Sequence, residues 1–377
     1  MENPFVVRVY KSKSLFCDRE QEMASLLKNC ENNVDTTIIS MRRMGKTGLI
    51  YRLFDEIKSK RVNISPIYVD IYVSRSLSDF IKLTAEAILK VFSEKTTFGK
   101  KFMDFIKSLR PLITFDHITG EPQIQISYQS VQEKEYTLRG LLDFLDAQGK
   151  HILLAIDEFQ QIRDYPEANM EELLRTYIQP LKNVNFIFCG SRKHIMADIF
   201  INAKKPFYSS TKFVMLDRIS ENSYCKFIEQ KFKSNGRKIK PEAINFILDW
   251  TKRHTYYTQS LCNTVYAEQQ DKEVTIESVK SACLQVLQTN ESIYLQYRRL
   301  LTDNQWRFLI AVAKEQQVKQ ITSKKFISDY NIGTPASSKR IVKSLCDKEL
   351  LVDITTKEGT SYSVYDVFLS RWLEREY

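Results

Sequence analysis

No apolar run in this chain approaches the ~18 residues that a bilayer-spanning helix needs, so no membrane partner is expected. The opening residues Met1-Glu2-Asn3-Pro4-Phe5 lack the basic segment and following apolar stretch of a secretory leader. Cysteine occurs seven times, an odd number, with no Cys-x-x-Cys pair. Cys189 and Cys262 lie inside apolar runs, which fits buried free thiols in a reducing compartment better than disulfides. The four histidines are isolated and give no zinc-ligand spacing. A cytoplasmic location is therefore expected.

What is present is ample core material. The chain has 377 residues, 43% hydrophobic and 12% aromatic, a length that predicts two or three domains. The formal net charge of +10 calls for an anionic partner without identifying it. The densest basic cluster is Lys231, Lys233, Arg237, Lys238 and Lys240 around Gly236, and it reads first as a solvated turn between helices.

One stretch carries specific chemistry. Ser40-Met41-Arg42-Arg43-Met44-Gly45-Lys46-Thr47 follows the apolar run Thr37-Ile38-Ile39 and precedes a helix-like segment, Leu49 to Ile57. Strand, tight loop ending in Gly-Lys-Thr, then helix is the layout of a phosphate-binding P-loop. Loop N–H groups and the helix dipole favour an anion there. Lys46 would reach the β- and γ-phosphates of ATP, and the Thr47 hydroxyl would hold Mg²⁺. Gly45 permits close backbone approach, and Arg42, Arg43, Met44 and Gly48 complete the expected cradle. The pattern usually opens with glycine, and Ser40 stands there instead.

A second motif supports the first. Lys150 to Ile156 is an apolar, β-prone run ending in Asp157 and Glu158. Asp157 would bind Mg²⁺ through water, and Glu158 would polarise the attacking water. Taken alone, two acids after a strand read equally as a helix N-cap. Asn185 to Cys189 is another buried run, leaving through Gly190-Ser191-Arg192. Ser191 could contact the γ-phosphate or order water, or belong to an ordinary strand-to-helix turn. Pro66 to Val73 and Lys212 to Leu216 complete five strands, separated by helices such as Ser76 to Phe92 and Tyr136 to Gln148. This predicts an α/β fold, a parallel sheet with right-handed crossovers and its ligand at the strands' C-terminal edge. A β-hairpin insertion is expected at about 108–130, turning at Thr119-Gly120-Glu121-Pro122. Near the N-terminus Asp18 is expected to cap a helix running to about Lys28.

These residues resemble the archaeal-type ATPases, a branch of the STAND and AAA+ P-loop ATPases, over nearly the whole chain. The resemblance rests on Phe16-Cys17-Asp18-Arg19-Glu20, Arg42 to Thr47, Ile156-Asp157-Glu158-Phe159 and Gly190-Ser191. It continues through Lys205-Pro206-Phe207-Tyr208 and His254 to Gln259. It implies a P-loop ASCE core with strand order 5-1-4-3-2, a helical lid and a C-terminal winged helix. It also implies that Arg19 and Glu20 lie near the adenine. The family often has Gly-x-Pro at the lid helix; here Arg253, His254 and Thr255 stand in that place.

The resulting division is a core over 1–217, a lid over 218–300 and a winged helix over 301–377. Lid helices are visible from apolar faces at Tyr224, Phe227, Ile228 and Phe232, and at Ile244, Ile247 and Trp250. Thr302-Asp303-Asn304-Gln305 is a capping box, Ser323 starts a second helix, and Ser337 to Lys348 forms a third before a hairpin. That is a DNA-reading layout, with Ser338, Lys339, Arg340 and Lys343 offered by the third helix. Yet residues 303–377 hold 12 Lys/Arg against 10 Asp/Glu, a net of +2, little for a DNA reader.

Three functions compete. The favoured one is a slow Mg²⁺-dependent ATPase acting as a switch that moves lid and winged helix. The second is a DNA-associated ATPase. The third is a nucleotide-binding scaffold with little hydrolysis, against which the intact Lys46, Thr47, Asp157 and Glu158 argue. No repeat array or effector domain is seen, so output is expected through a protein partner or self-association. Arg163, Arg192 and Arg218 are candidates for an arginine finger.

Overall fold

The computed structural model describes residues 2–60, 63–92, 96–108, 112–115, 122–125, 128–147, 149–268 and 273–377. Two compact units emerge: Tyr10–Asp217, and a second formed by Met1–Val9 with Arg218–Tyr377.

The first unit is organised by five strands: β1 (Thr36–Ser40), β2 (Ile64–Asp70), β3 (His151–Asp157), β4 (Val184–Gly190) and β5 (Lys212–Leu216). They pair in parallel in the order β2-β3-β4-β1-β5. Read from the other edge this is 5-1-4-3-2, the order that the resemblance implied. Alternate residues serve opposite faces. Phe186 and Phe188 of β4 enter one core, with Ile152, Leu154 and Ile156 of β3. Ile187 and Cys189 enter the other, with Leu153 and Ala155. Helices cover both faces, so these strands read as continuous apolar runs. The register sets Asp70 beside Asp157 and Ile39 beside Gly190. Those residues and Ser40 therefore finish at the same edge of the sheet.

Two helices frame the site: α1 (Glu20–Glu31) and α2 (Lys46–Ser59). Asp18 does not cap α1. Arg19 is the N-cap residue, at φ 72, and no side chain caps the helix. Asp18 is itself left-handed (φ 56), and its carbonyl accepts from the buried Arg52. The insertion contains an antiparallel pair, Leu112–Phe115 with Pro122–Gln125, preceded by a helix at Thr97–Ser108. Thr119, Gly120 and Glu121 of the expected turn lie outside the described residues.

Among the described residues the second unit opens with four helices, Glu221–Lys233, Pro241–Trp250, Thr255–Glu268 and Ile276–Leu300. Short strands Lys238–Ile239 and Glu273–Val274 pair in parallel between them. A winged helix follows: helices Asp303–Lys314, Lys324–Asp329 and Pro335–Asp347, then hairpin strands Leu351–Thr356 and Gly359–Val364. A closing helix, Val367–Glu376, packs back onto the lid helices: Phe368 lies 5.4 Å from Trp250 and 4.8 Å from Tyr257 between ring centroids. Arg371 Nε donates to the Trp250 carbonyl at 3.0 Å. The N-terminal segment is fixed here too. Phe5 is buried among Phe227, Phe232 and Tyr266, and Asn263 donates to its carbonyl at 2.7 Å.

The basic cluster around Gly236 is only partly a solvated turn. Arg237 lies 4.1 Å over the Tyr266 ring and donates to the Tyr266 carbonyl, so its stem is packed.

Candidate functional site

The loop after β1 is shaped by two left-handed residues, Arg43 (φ 62) and Gly45 (φ 94). Ser40 is not among them. It ends the strand fully buried, its hydroxyl donating to the Met41 carbonyl at 2.8 Å. The reversal occurs downstream of Ser40, so this position makes no demand for glycine. Met44 of the loop is buried. Gly45 precedes α2, and no side chain caps that helix. The first N–H groups of Lys46, Thr47 and Gly48 have no carbonyl partner within the helix, the arrangement that suits a phosphate. Lys46 is buried, its ammonium 3.5 Å from the Met41 carbonyl. The Arg42 guanidinium lies 5.9 Å from the Tyr72 ring centroid.

The lead-in packs against the start of α2. A β-carbon at Gly48 would come within 3.0 Å of the Phe16 ring, and Arg52 stacks over that ring at 5.3 Å. Arg52 also pairs with Glu20, while Arg19 donates to the Asp217 carbonyl at 2.5 Å and to Glu22 at 2.9 Å. Arg19 and Glu20 thus lie beside the P-loop helix and the end of β5, each already committed to a protein partner.

The two adjacent acids are wired differently. Asp157 is buried, and its Oδ2 accepts from Thr47 Oγ1 and from the Tyr68 hydroxyl, each at 2.8 Å. Burial, then the Asp157 charge, pushes the Tyr68 hydroxyl far above the usual phenol range, so it stays protonated and donating. Asp70 is pushed up, first by burial. Glu158 sits in the left-handed region, at φ 55. Its Oε2 accepts from Ser191 Oγ at 2.8 Å and from Gln160 Nε2.

The donor set at Thr47 and Asp157 consists of oxygens only, which suits Mg²⁺ shared with phosphate oxygens. Among the described residues no cluster of three or more His, Cys, Asp or Glu could hold a metal by itself. Tyr68, Gln160 and Arg52 escaped sequence reasoning. The alternation in β2 sets Tyr68 and Asp70 on one face, a visible signal, but their meeting with Asp157 requires the strand register.

Other expected contributors are dispersed. Arg163 is held by Glu171 and Asp198, each at 2.7 Å, and Arg192 lies 3.9 Å from Asp164. Arg218 belongs to the second unit. In the lid turn, Lys252 (φ 51) and Arg253 (φ 53) take left-handed conformations, and Arg253 N–H closes the preceding helix on the Leu248 carbonyl at 2.9 Å. His254 is buried 4.7 Å from Tyr257. On the third winged-helix helix Lys339, Arg340 and Lys343 are exposed. Ser338 is not available as a reader: it is buried and donates to the Ile321 carbonyl at 2.6 Å, the helix face that carries it having turned inward.

Known proteins share this fold. A family described as an ATPase domain predominantly from Archaea matches residues 16–253, and a probable winged helix domain matches residues 292–375. No sequence among the curated proteins matches. A Walker-type ATPase of Pyrococcus abyssi is similar in structure over 98% of this chain and 99% of its own, with a TM-score of 0.65 and 18% identity. The ORC2 protein of Aeropyrum pernix, in ADPNP–ADP complexes, is similar over 99% and 96%, with a TM-score of 0.58 and 12% identity. The ORC1 protein of Aeropyrum pernix, in complex with DNA, is similar over 96% and 93%, with a TM-score of 0.51 and 13% identity. At such identities the likeness is one of fold.

Proposed function

We infer the function of this chain from its membership: it belongs to the family of ATPase domains predominantly from Archaea. The reading favoured is a protein that binds ATP, hydrolyses it slowly and converts nucleotide state into movement of its lid and winged helix. The observation that carries it is the 2.8 Å hydrogen bond from Thr47 of the P-loop helix to Asp157 of β3. Two motifs 110 residues apart in sequence meet there as an oxygen pair.

On this reading the N–H groups opening α2 and the Lys46 ammonium hold the phosphates, with Arg42, Arg43, Met44, Gly45 and Gly48 shaping the cradle. Arg19 and Glu20 flank the base. Thr47 and Asp157 would hold Mg²⁺, which neutralises charge on the β- and γ-phosphates. Glu158 accepts a proton from water as the water oxygen bonds to the γ-phosphorus and the bond to the β–γ bridging oxygen breaks. Ser191 steadies that carboxylate. The movement reading is supported by the joint between lid and winged helix. The contacts of Trp250 with Phe368 and Arg371 make them travel together.

A second reading, a DNA-associated ATPase, is favoured by one observation: Lys339, Arg340 and Lys343 are all exposed on the third winged-helix helix. Steady-state ATP hydrolysis with and without double-stranded DNA, at low and moderate salt, tests both. Turnover stimulated several-fold by DNA and weakened by salt supports the DNA reading. Turnover indifferent to DNA supports a switch acting on a protein partner or a second copy. Turnover no higher than in Glu158→Gln sinks the hydrolytic assignment.

A further inference from the structure

Gln160 stands apart among the polar groups near the sheet edge. It is 5% exposed, and its amide is only half satisfied. Nε2 donates to Glu158 Oε2. Among the described residues Oε1 accepts no hydrogen bond. Rotating the amide does not repair this, because an amide oxygen would then face a carboxylate oxygen. A buried acceptor without a donor opposes folding, and a core position of this kind is ordinarily apolar. The backbone has been cleared to admit the amide. A β-carbon at Gly190 would fall 2.3 Å from Gln160 Oε1 and 2.4 Å from Met196 Sδ. Gly190 takes no left-handed φ, so space, not conformation, calls for glycine there.

What the amide does is aim Glu158. The glutamate follows β3 directly, in a left-handed conformation that few non-glycine residues adopt. Gln160 from the turn after β3 and Ser191 from the end of β4 both donate to Oε2. With two donors on Oε2, the lone pairs of Oε1 remain open to a water proton. We propose that Gln160 is a positioning residue for ATP hydrolysis, holding the Glu158 carboxylate by one oxygen so that the other faces the attacking water. The inference rests on the hydrolytic reading above and deepens it: Gln160 acts through Glu158, to which its amide donates. Its retention trades stability for geometry.

The full chain provides the test. Steady-state hydrolysis, KM for ATP and the thermal midpoint are measured for wild type, Gln160→Met, Gly190→Ala and Glu158→Gln. Methionine keeps the length of glutamine but removes both amide groups. The expected result is a kcat lower by about tenfold or more, as for other residues that orient a functional group from behind, with KM unchanged. The thermal midpoint of Gln160→Met should equal or exceed that of wild type, because the unsatisfied acceptor is gone. Gly190→Ala, which pushes on the amide from the opposite side, should lower kcat in the same way. An unchanged or raised kcat in Gln160→Met overturns the proposal. So does a loss of kcat matched by a fall in thermal midpoint, which would mark a packing role. Wild-type turnover no faster than Glu158→Gln would instead overturn the hydrolytic reading on which the proposal stands.

Discussion

The two units use polar residues in opposite ways. In the Tyr10–Asp217 unit they converge: Thr47, Tyr68 and Asp157 meet at one point of the sheet edge, Glu158, Gln160 and Ser191 at another. In the second unit they are dispersed into local structure. Capping boxes at Thr275/Ser278, Thr302/Gln305 and Thr334/Ser337 consume hydroxyls at helix starts, and Arg371 is spent on the carbonyls of Asp249 and Trp250. Convergent polar groups are expensive to hold together and repay that cost in chemistry. Dispersed ones repay it in helix stability. Substitutions in the first set should therefore change turnover, and substitutions in the second should change stability.

The largest effect expected is at Glu158. Glu158→Gln should retain ATP binding and lower turnover by roughly 10²–10⁴-fold, the range for losing a general base, as read by nucleotide binding and phosphate release. Lys46→Ala should instead weaken ATP binding itself, so the pair separates chemistry from affinity. In the second unit Trp372→Ala should destabilise by about 3–5 kcal/mol in denaturant titration, because Trp372 is buried against Tyr294 and Trp306. A loss below about 1 kcal/mol would mean that aromatic packing is not what joins winged helix to lid. Thr302→Ala removes one capping box and should cost about 1 kcal/mol without altering turnover.

The smallest effect sharpens the comparison by pH. Lys252 is pushed down to about 8 by burial and then by Arg371. The unfolded chain holds that proton to about pH 10.4, so folding releases it between these values and stability rises with pH there. Lys252→Met should thus be more stable than wild type by about 1 kcal/mol at pH 7, the residue being only partly buried. That advantage should shrink from pH 8 and vanish above pH 10.5. A constant advantage across the range would show that the lysine carries no proton-linked cost.

The core was legible because its signals are local. β1, β3 and β4 are apolar runs long enough to cross a sheet covered on both sides, and the loop Ser40 to Thr47 announces itself by residue type. The family resemblance supplied the strand order, which spacing alone does not encode. Contacts across strands were not legible. That Tyr68 meets Asp157 depends on a register in which Tyr68 pairs with Ala155. That Gln160 turns back onto Glu158 depends on the left-handed glutamate between strand and turn. Asp18 misled for a related reason: the helix starts one residue later, with Arg19 at the N-cap position and Asp18 itself in the left-handed region. Ser338, similarly, lies one position from exposed Lys339 in sequence, yet faces the interior of the winged helix.

The N-terminal segment has a consequence for how the chain is strung. Residues 1–9 belong to the second unit, Tyr10–Asp217 to the first, and Arg218 onward to the second again. The polypeptide therefore crosses between the units twice, at Val9–Tyr10 and at Asp217–Arg218, and the second unit is no bead on a single string. Its tether is doubled by two covalent crossings, and the segment beyond the first ends in a plug: Phe5 in its aromatic socket. A protease that severs Asp217 from Arg218 would leave two fragments still buttoned together by that plug.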